Sequence, residues 1–225
     1  VSLQEGENVL TAKASTEQGQ TGASEPVTII LDQEKPELSI TSPADKSKTN
    51  KETVTVKGTV SDDNLDWVKV NGKKADVKDG AFSHRILLEQ GENVIKVVAQ
   101  DKAGNKITKK VTIEAKYGDL EISNVLPGED KELKSGESVK IEFDSEPGLD
   151  ATFVLHMPLT NARSMTSNAT ELPMRETSEG HYEGYYTATS NVKAPGAVVE
   201  VKVEDDFGNV ETKRAEGKLY INAKK

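Results

Sequence analysis

Apolar and polar positions alternate with a period of two along most of the chain. Thr53-Val54-Thr55-Val56-Lys57-Gly58-Thr59-Val60 does so, as do Val68-Lys69-Val70, Val97 to Ala99, Val111-Thr112-Ile113, Val139 to Phe143 and Val199 to Val203. Short β-branched runs broken by Gly, Asn, Asp and Pro predict antiparallel strands with one buried and one solvated face. Asn71-Gly72 predicts a type I′ hairpin, because both central positions need positive φ. No stretch keeps a 3.6-residue period for three turns, so the expected fold class is all-β. Val54, Val56, Val68, Val70, Val94, Val97 and Ile113 are expected to line one core. Val139, Ile141, Val199, Val201 and Val203 are expected to line another.

The pattern also repeats at longer range. Leu3-Gln-Glu-Gly-Glu-Asn-Val-Leu10 matches Leu88-Glu-Gln-Gly-Glu-Asn-Val-Ile95, an offset of 85 (88 − 3). Val27-Thr28-Ile29 matches Val111-Thr112-Ile113 at an offset of 84 (111 − 27). After each pair a new start follows: Leu38-Ser39-Ile40 with Pro43, then Leu120-Glu121-Ile122 with Pro127. A weaker third copy relates Val97 to Val201, and Asp101-Lys-Ala-Gly104-Asn105 to Asp205-Asp-Phe-Gly208-Asn209, at an offset of 104 (205 − 101). Each Gly-Asn falls where two late strands would meet in a hairpin. The repeats divide the chain into residues 1–31, the last strands of a truncated unit; 32–116, one complete sandwich; and 117–225, a second, longer one. A piece as short as 1–31 cannot bury a core alone. The chain therefore reads as a fragment from a longer tandem array. Cover is expected for Val9, Val27 and Ile29, preferentially by strand exchange with a second copy.

Composition narrows the functional classes. The 225 residues carry Lys+Arg 29 against Asp+Glu 38, a formal net charge of −9, which disfavours general nucleic-acid binding. No apolar run approaches the roughly 20 residues of a membrane span. The absence of Cys excludes disulfides and thiolate chemistry. No signal peptide is visible at Val1.

Residues 32–116 resemble bacterial immunoglobulin-like modules of the glucodextranase B-domain type. The resemblance rests on Ser42-Pro43-Ala44-Asp45, Val54 to Val60, Val68-Lys69-Val70-Asn71-Gly72, Leu88 to Val98 and Asp101 to Asn105 in that order. The whole chain, with Met174-Arg175-Glu176-Thr177 and Gly180-His181-Tyr182-Glu183-Gly184-Tyr185-Tyr186, resembles the C-terminal region of a secreted subtilisin-family protease. The resemblance implies tandem immunoglobulin-like or fibronectin-III-like β-sandwiches in an elongated series. It also implies export from a Gram-positive bacterium and an upstream catalytic domain on the same polypeptide.

The fragment itself reads as non-catalytic, although the resemblance makes its parent a serine endopeptidase. A subtilase serine sits in Gly-Thr-Ser-Met-Ala, whereas Arg163-Ser164-Met165-Thr166 lacks the Gly and the Ala. His84, His156 and His181 lie in unlike contexts, without the glycine-rich sequence that follows a subtilase histidine. No catalytic or cofactor-binding residue is assigned. Asp62, Asp63 and Asp101 are the candidates for a calcium site, with Asp66, Asp32 and the pair Asp205-Asp206 as further loop carboxylates. No EF-hand spacing is present, and turn chemistry is the preferred reading of all of them. Trp67 is expected to face away from Val68 and Val70, beside Lys69. Residues 156–173 read as a long loop carrying an Asn168-Ala169-Thr170 sequon.

Three functions are consistent with this reading. One is a spacer, stabiliser or substrate-docking region of the protease. Another is a stalk or adhesin segment of a surface protein. The third is a carbohydrate-binding accessory of a glycoside hydrolase. Beyond the catalytic domain, the expected partners are a protein substrate or a cell-wall component.

Overall fold

The computed structural model describes residues 1–19, 21–158 and 171–225, and within them every regular element is a β-strand. Two compact units result, Val1–Ser47 with Lys51–Ala115, and Lys48–Asn50 with Lys116–Lys225.

In the first unit one sheet carries Asp76–Lys78, Ala81–Leu87, Thr53–Ser61 and Glu37–Ser42 in that order. A second carries Lys106–Ala115, Gly91–Asp101, Leu65–Val70 and Lys73–Lys74. Buried apolar side chains come from both: Leu38, Val56, Val60 and Phe82 from the former, Val68, Val70, Ile95, Val97 and Ile113 from the latter. Burying one such side chain stabilises by about 1.5–3 kcal/mol.

Two expected core positions differ. Val94 is 51% exposed, because Ile95, Val97, Ala99 and Asp101 hold the inner face of their strand and alternation turns Val94 outward. Val54 is half-buried, at the start of the buried Val56, Gly58, Val60 series. Asn71 and Gly72 have φ of 46° and 83°, as the expected hairpin requires.

The sequence repeat is a repeat of hydrogen bonds. The Asn8 side chain accepts from Gln4 N–H and donates to the carbonyls of Gln4 and Gly6. Asn93 makes the same three bonds to Glu89 and Gly91. Gly6 and Gly91 have φ of 90° and 89°, a conformation that favours glycine in both copies. Gly6–Leu10 pairs with Val27–Leu31, and Lys13–Ser15 with Thr21–Ala23. The expected cover is not found among the described residues: Val27 and Ile29 are exposed on one face of this pair, and Val9, 60% exposed, lies with Ile30 on the other.

In the second unit Ser123–Leu126, Ser138–Asp144, His181–Thr187 and Arg175–Ser178 form one sheet. Lys131–Leu133, Val210–Ile221, Ala194–Glu204, Asp150–His156 and Leu172–Pro173 form the other. Lys131–Leu133 runs parallel to its neighbour, bringing Leu133 level with Ile221. Val139, Ile141, Val199, Val201 and Val203 are all buried, as expected, with Phe143, Phe153, Tyr182, Leu219 and Ile221. Tyr182 stacks on Phe143 at 5.0 Å, donates its hydroxyl to the Glu146 carbonyl and accepts from Leu149 N–H. The end of the expected long loop is instead a strand, because Leu172 pairs with Phe153. Arg163 to Thr166 and the sequon at Asn168 lie outside the described residues.

Candidate functional site

The two Asp-x-x-Gly-Asn sequences close equivalent hairpins, and each does more than turn the chain. Asp101 ends the strand Gly91–Asp101 and is fully buried. Its Oδ1 accepts from the N–H groups of Gly104 and Asn105, and its Oδ2 from the Asn105 side chain. The same Asn105 amide donates to the Asp32 carbonyl, where the chain enters this sandwich. Asp205 Oδ1 likewise accepts from Phe207 and Asn209 N–H, and Oδ2 from the Asn209 side chain. Asn209, 8% exposed, donates to the Lys116 carbonyl at the entry to its own sandwich. Burial pushes both aspartates up, but the Asn105 or Asn209 side chain and the loop N–H groups outweigh it and hold each carboxyl below its ordinary value. The Lys116 ammonium, 2.8 Å from Glu146 and 3.5 Å from Asp205, is held above its ordinary value first by the Glu146 hydrogen bond.

Asp62 and Asp63 lie elsewhere in the first unit, between Thr53–Ser61 and Leu65–Val70. Asp62 Oδ1 accepts from Asn64 N–H, a local Asx turn, and the Asn64 carbonyl accepts from Lys102 N–H. Asp62 and Asp63 line an acidic cleft with Asp32, Glu5, Glu34 and Glu37, and Asp101 is not among its lining residues. The three do not gather ligand atoms within 4.8 Å of one another. Trp67 does stand beside Lys69, whose Nζ lies 4.3 Å from the ring centroid, with Lys106 Nζ at 6.0 Å.

The grouping of metal-ligating side chains that the described residues do form is Glu142, His181 and Glu183, in the second unit. Antiparallel register places Asp144 opposite His181 and Glu142 opposite Glu183. The inner faces of these strands carry Val139, Ile141, Phe143 and Tyr182, so alternation turns Lys140, Glu142, Asp144, His181 and Glu183 to the outer face. His181 Nδ1 is 2.6 Å from Asp144 Oδ1, and Asn124 donates to the other Asp144 oxygen at 2.6 Å. His181 Nε2 lies 3.7 Å from Glu142 Oε2 and 3.5 Å from Glu183 Oε1. Lys140 Nζ contacts both glutamates. Asp144 raises the His181 pKa, and the Lys140 hydrogen bond lowers that of Glu183. Sequence reasoning missed this group. The polar alternation of each strand was visible, but not the register joining residues 37 positions apart. The remaining histidine pair, His156 with Glu200 at 3.3 Å, lies on the other sheet.

Residues 36–117 match the family model described as glucodextranase, domain B. Over 98% of its length the chain is 63% identical to part of Bacillopeptidase F from Bacillus subtilis (strain 168), and it spans 15% of that protein. The solved fibronectin(III)-like modules of CbhA from Clostridium thermocellum share the fold. They superpose with a TM-score of 0.52 at 14% identity, over 83% of this chain and 95% of that one.

Proposed function

We propose that this chain is a non-catalytic accessory region of a secreted subtilisin-family serine endopeptidase, holding or docking substrate for a catalytic domain on the same polypeptide. The observation that carries the reading is the identity of 63% along nearly the whole chain to one segment of Bacillopeptidase F. The sandwich architecture supports it, since modules held at their entry points by Asn105 and Asn209 suit a spacer. The test is deletion of this segment from the full-length protease. Turnover of a short chromogenic peptide is expected to stay unchanged. A raised KM on a folded protein substrate indicates docking, and an unchanged KM indicates spacing. Loss of peptide turnover by correctly folded enzyme overturns the non-catalytic reading.

The match to glucodextranase domain B favours carbohydrate binding as a second reading. Against it, the Trp67 ring is covered by Lys69, which leaves less of its face for a sugar. Trp67-dependent binding on a glycan array would establish that reading in place of the first.

A further inference from the structure

We propose that Glu142, His181 and Glu183 form a binding site for a divalent transition metal of the zinc class, with Asp144 as the positioning residue. The argument begins with the imidazole. A metal-ligating histidine donates its other N–H to a carboxylate or carbonyl, which fixes the tautomer and aims the free nitrogen. His181 does this through Nδ1 to Asp144, and Asp144 is itself fixed by Asn124. Nε2 thereby faces two carboxylates on the same side of the sheet, and above the raised His181 pKa it is free to ligate.

The spacing fits the ion. Ligands about 2.0–2.1 Å from a tetrahedral zinc stand about 3.3–3.4 Å from one another. The Nε2 to carboxylate distances are 3.7 and 3.5 Å, so small side-chain rotations close the site. A nitrogen with two carboxylates suits zinc better than calcium, which takes six to eight oxygens. Three protein ligands leave a fourth position open. A cleft lined by Asn124, Glu142, Asp144 and His181, with Lys213 and Arg214 also on its wall, adjoins the group.

The sheet sets two like charges side by side, which a cation must offset. Like charges directly opposite on paired strands destabilise a sheet, yet Glu142 faces Glu183. Lys140 supplies a compensating charge, bonded to both. Lys140 is therefore the internal competitor, and a metal ion replaces its ammonium between the two glutamates.

Isothermal titration of the tag-free full chain with zinc, in buffer above neutral pH, tests the site. A saturable one-to-one isotherm is expected. His181→Gln should abolish it. Asp144→Asn should weaken it roughly 10–100-fold, the range for loss of such a supporting carboxylate. Lys140→Met should tighten it. Cobalt should give visible absorption bands in the wild type that His181→Gln removes, a signature a structural role would not produce. Far-UV circular dichroism of each metal-free variant confirms that it is folded. A titration that does not saturate overturns the site. So does one that His181→Gln leaves unchanged, which would move binding to His84 or His156.

Discussion

Asn209 shows how one side chain can serve a turn and a domain entry at once. Its amide spans Asp205 Oδ2 and the Lys116 carbonyl, and the residue is nearly buried. Asn209→Ala leaves that carbonyl without its donor and Asp205 Oδ2 with only the Lys116 ammonium 3.5 Å away, at a cost of about 1–3 kcal/mol. Denaturant unfolding of the second unit should show a loss of that size, and a change within error would mean water replaces the amide. The carboxylates give these loops a pH dependence. Asp101 and Asp205 both titrate below the ordinary aspartate value of about 3.9 in the folded chain. The unfolded chain binds protons first as pH falls, so their stabilising contribution is complete above about pH 4–5 and is lost as pH drops through the depressed folded values. Melting temperature should fall on acidification across that window, and Asp101→Asn should flatten the dependence for the first unit. The Gly-Asn pairs were legible in the sequence as hairpin turns. Their grip on Asp32 and Lys116 was not, because it joins residues 73 and 93 positions apart.

At the scale of the strand, alternation located most of the core and failed where two adjacent residues were both apolar. Val94 and Ile95 are such a pair, and only the continuous inner series Ile95, Val97, Ala99 decides between them. Gly58 posed the opposite problem. It interrupts Val56 and Val60 on the inner face, and its sequence context gave no reason for a missing side chain. A Cβ there would stand 2.0 Å from the Ser39 carbonyl oxygen and 2.4 Å from the Phe82 ring. The neighbouring strand and the ring therefore occupy the space a side chain would need. Gly58→Ala forces backbone to move and should cost at least the roughly 1–3 kcal/mol of ordinary overpacking. Thermal unfolding of the first unit measures it, and an unshifted transition would mean that Glu37–Ser42 can slide outward without loss. The group around His181 belongs to this scale too: its chemistry depends on register, which alternation within one strand does not encode.

Across the whole molecule, the repeat carries a consequence for association. Gly6–Leu10 and Val27–Leu31 reproduce the hydrogen-bonded Asn of the complete unit, yet Val27 and Ile29 on one face of the pair remain exposed, as do Val9 and Ile30 on the other, the face that is solvated in the complete unit as well. In the complete unit, Val111 and Ile113, the counterparts of Val27 and Ile29, are buried. The difference lies in the opposing sheet, which Glu37–Ser42, Thr53–Ser61 and Ala81–Leu87 supply to residues 91–115 and which no strand among the described residues of 1–31 supplies to Val27–Leu31. We propose that in the isolated 225-residue chain a second copy covers the face of Val27 and Ile29, each chain lending its hairpin to the other. An exposed apolar strand pair with free edges favours such pairing, and the symmetric exchange closes at two chains. Multi-angle light scattering of the chain, and of a version beginning at Asp32, decides the matter. The longer chain should run as a dimer that dissociates on dilution, and the shorter as a monomer. Val27→Lys with Ile29→Lys, both on the face to be covered, should make the longer chain monomeric without altering the melting of the second unit. If both lengths are monomers at the same concentration, no second copy covers the face.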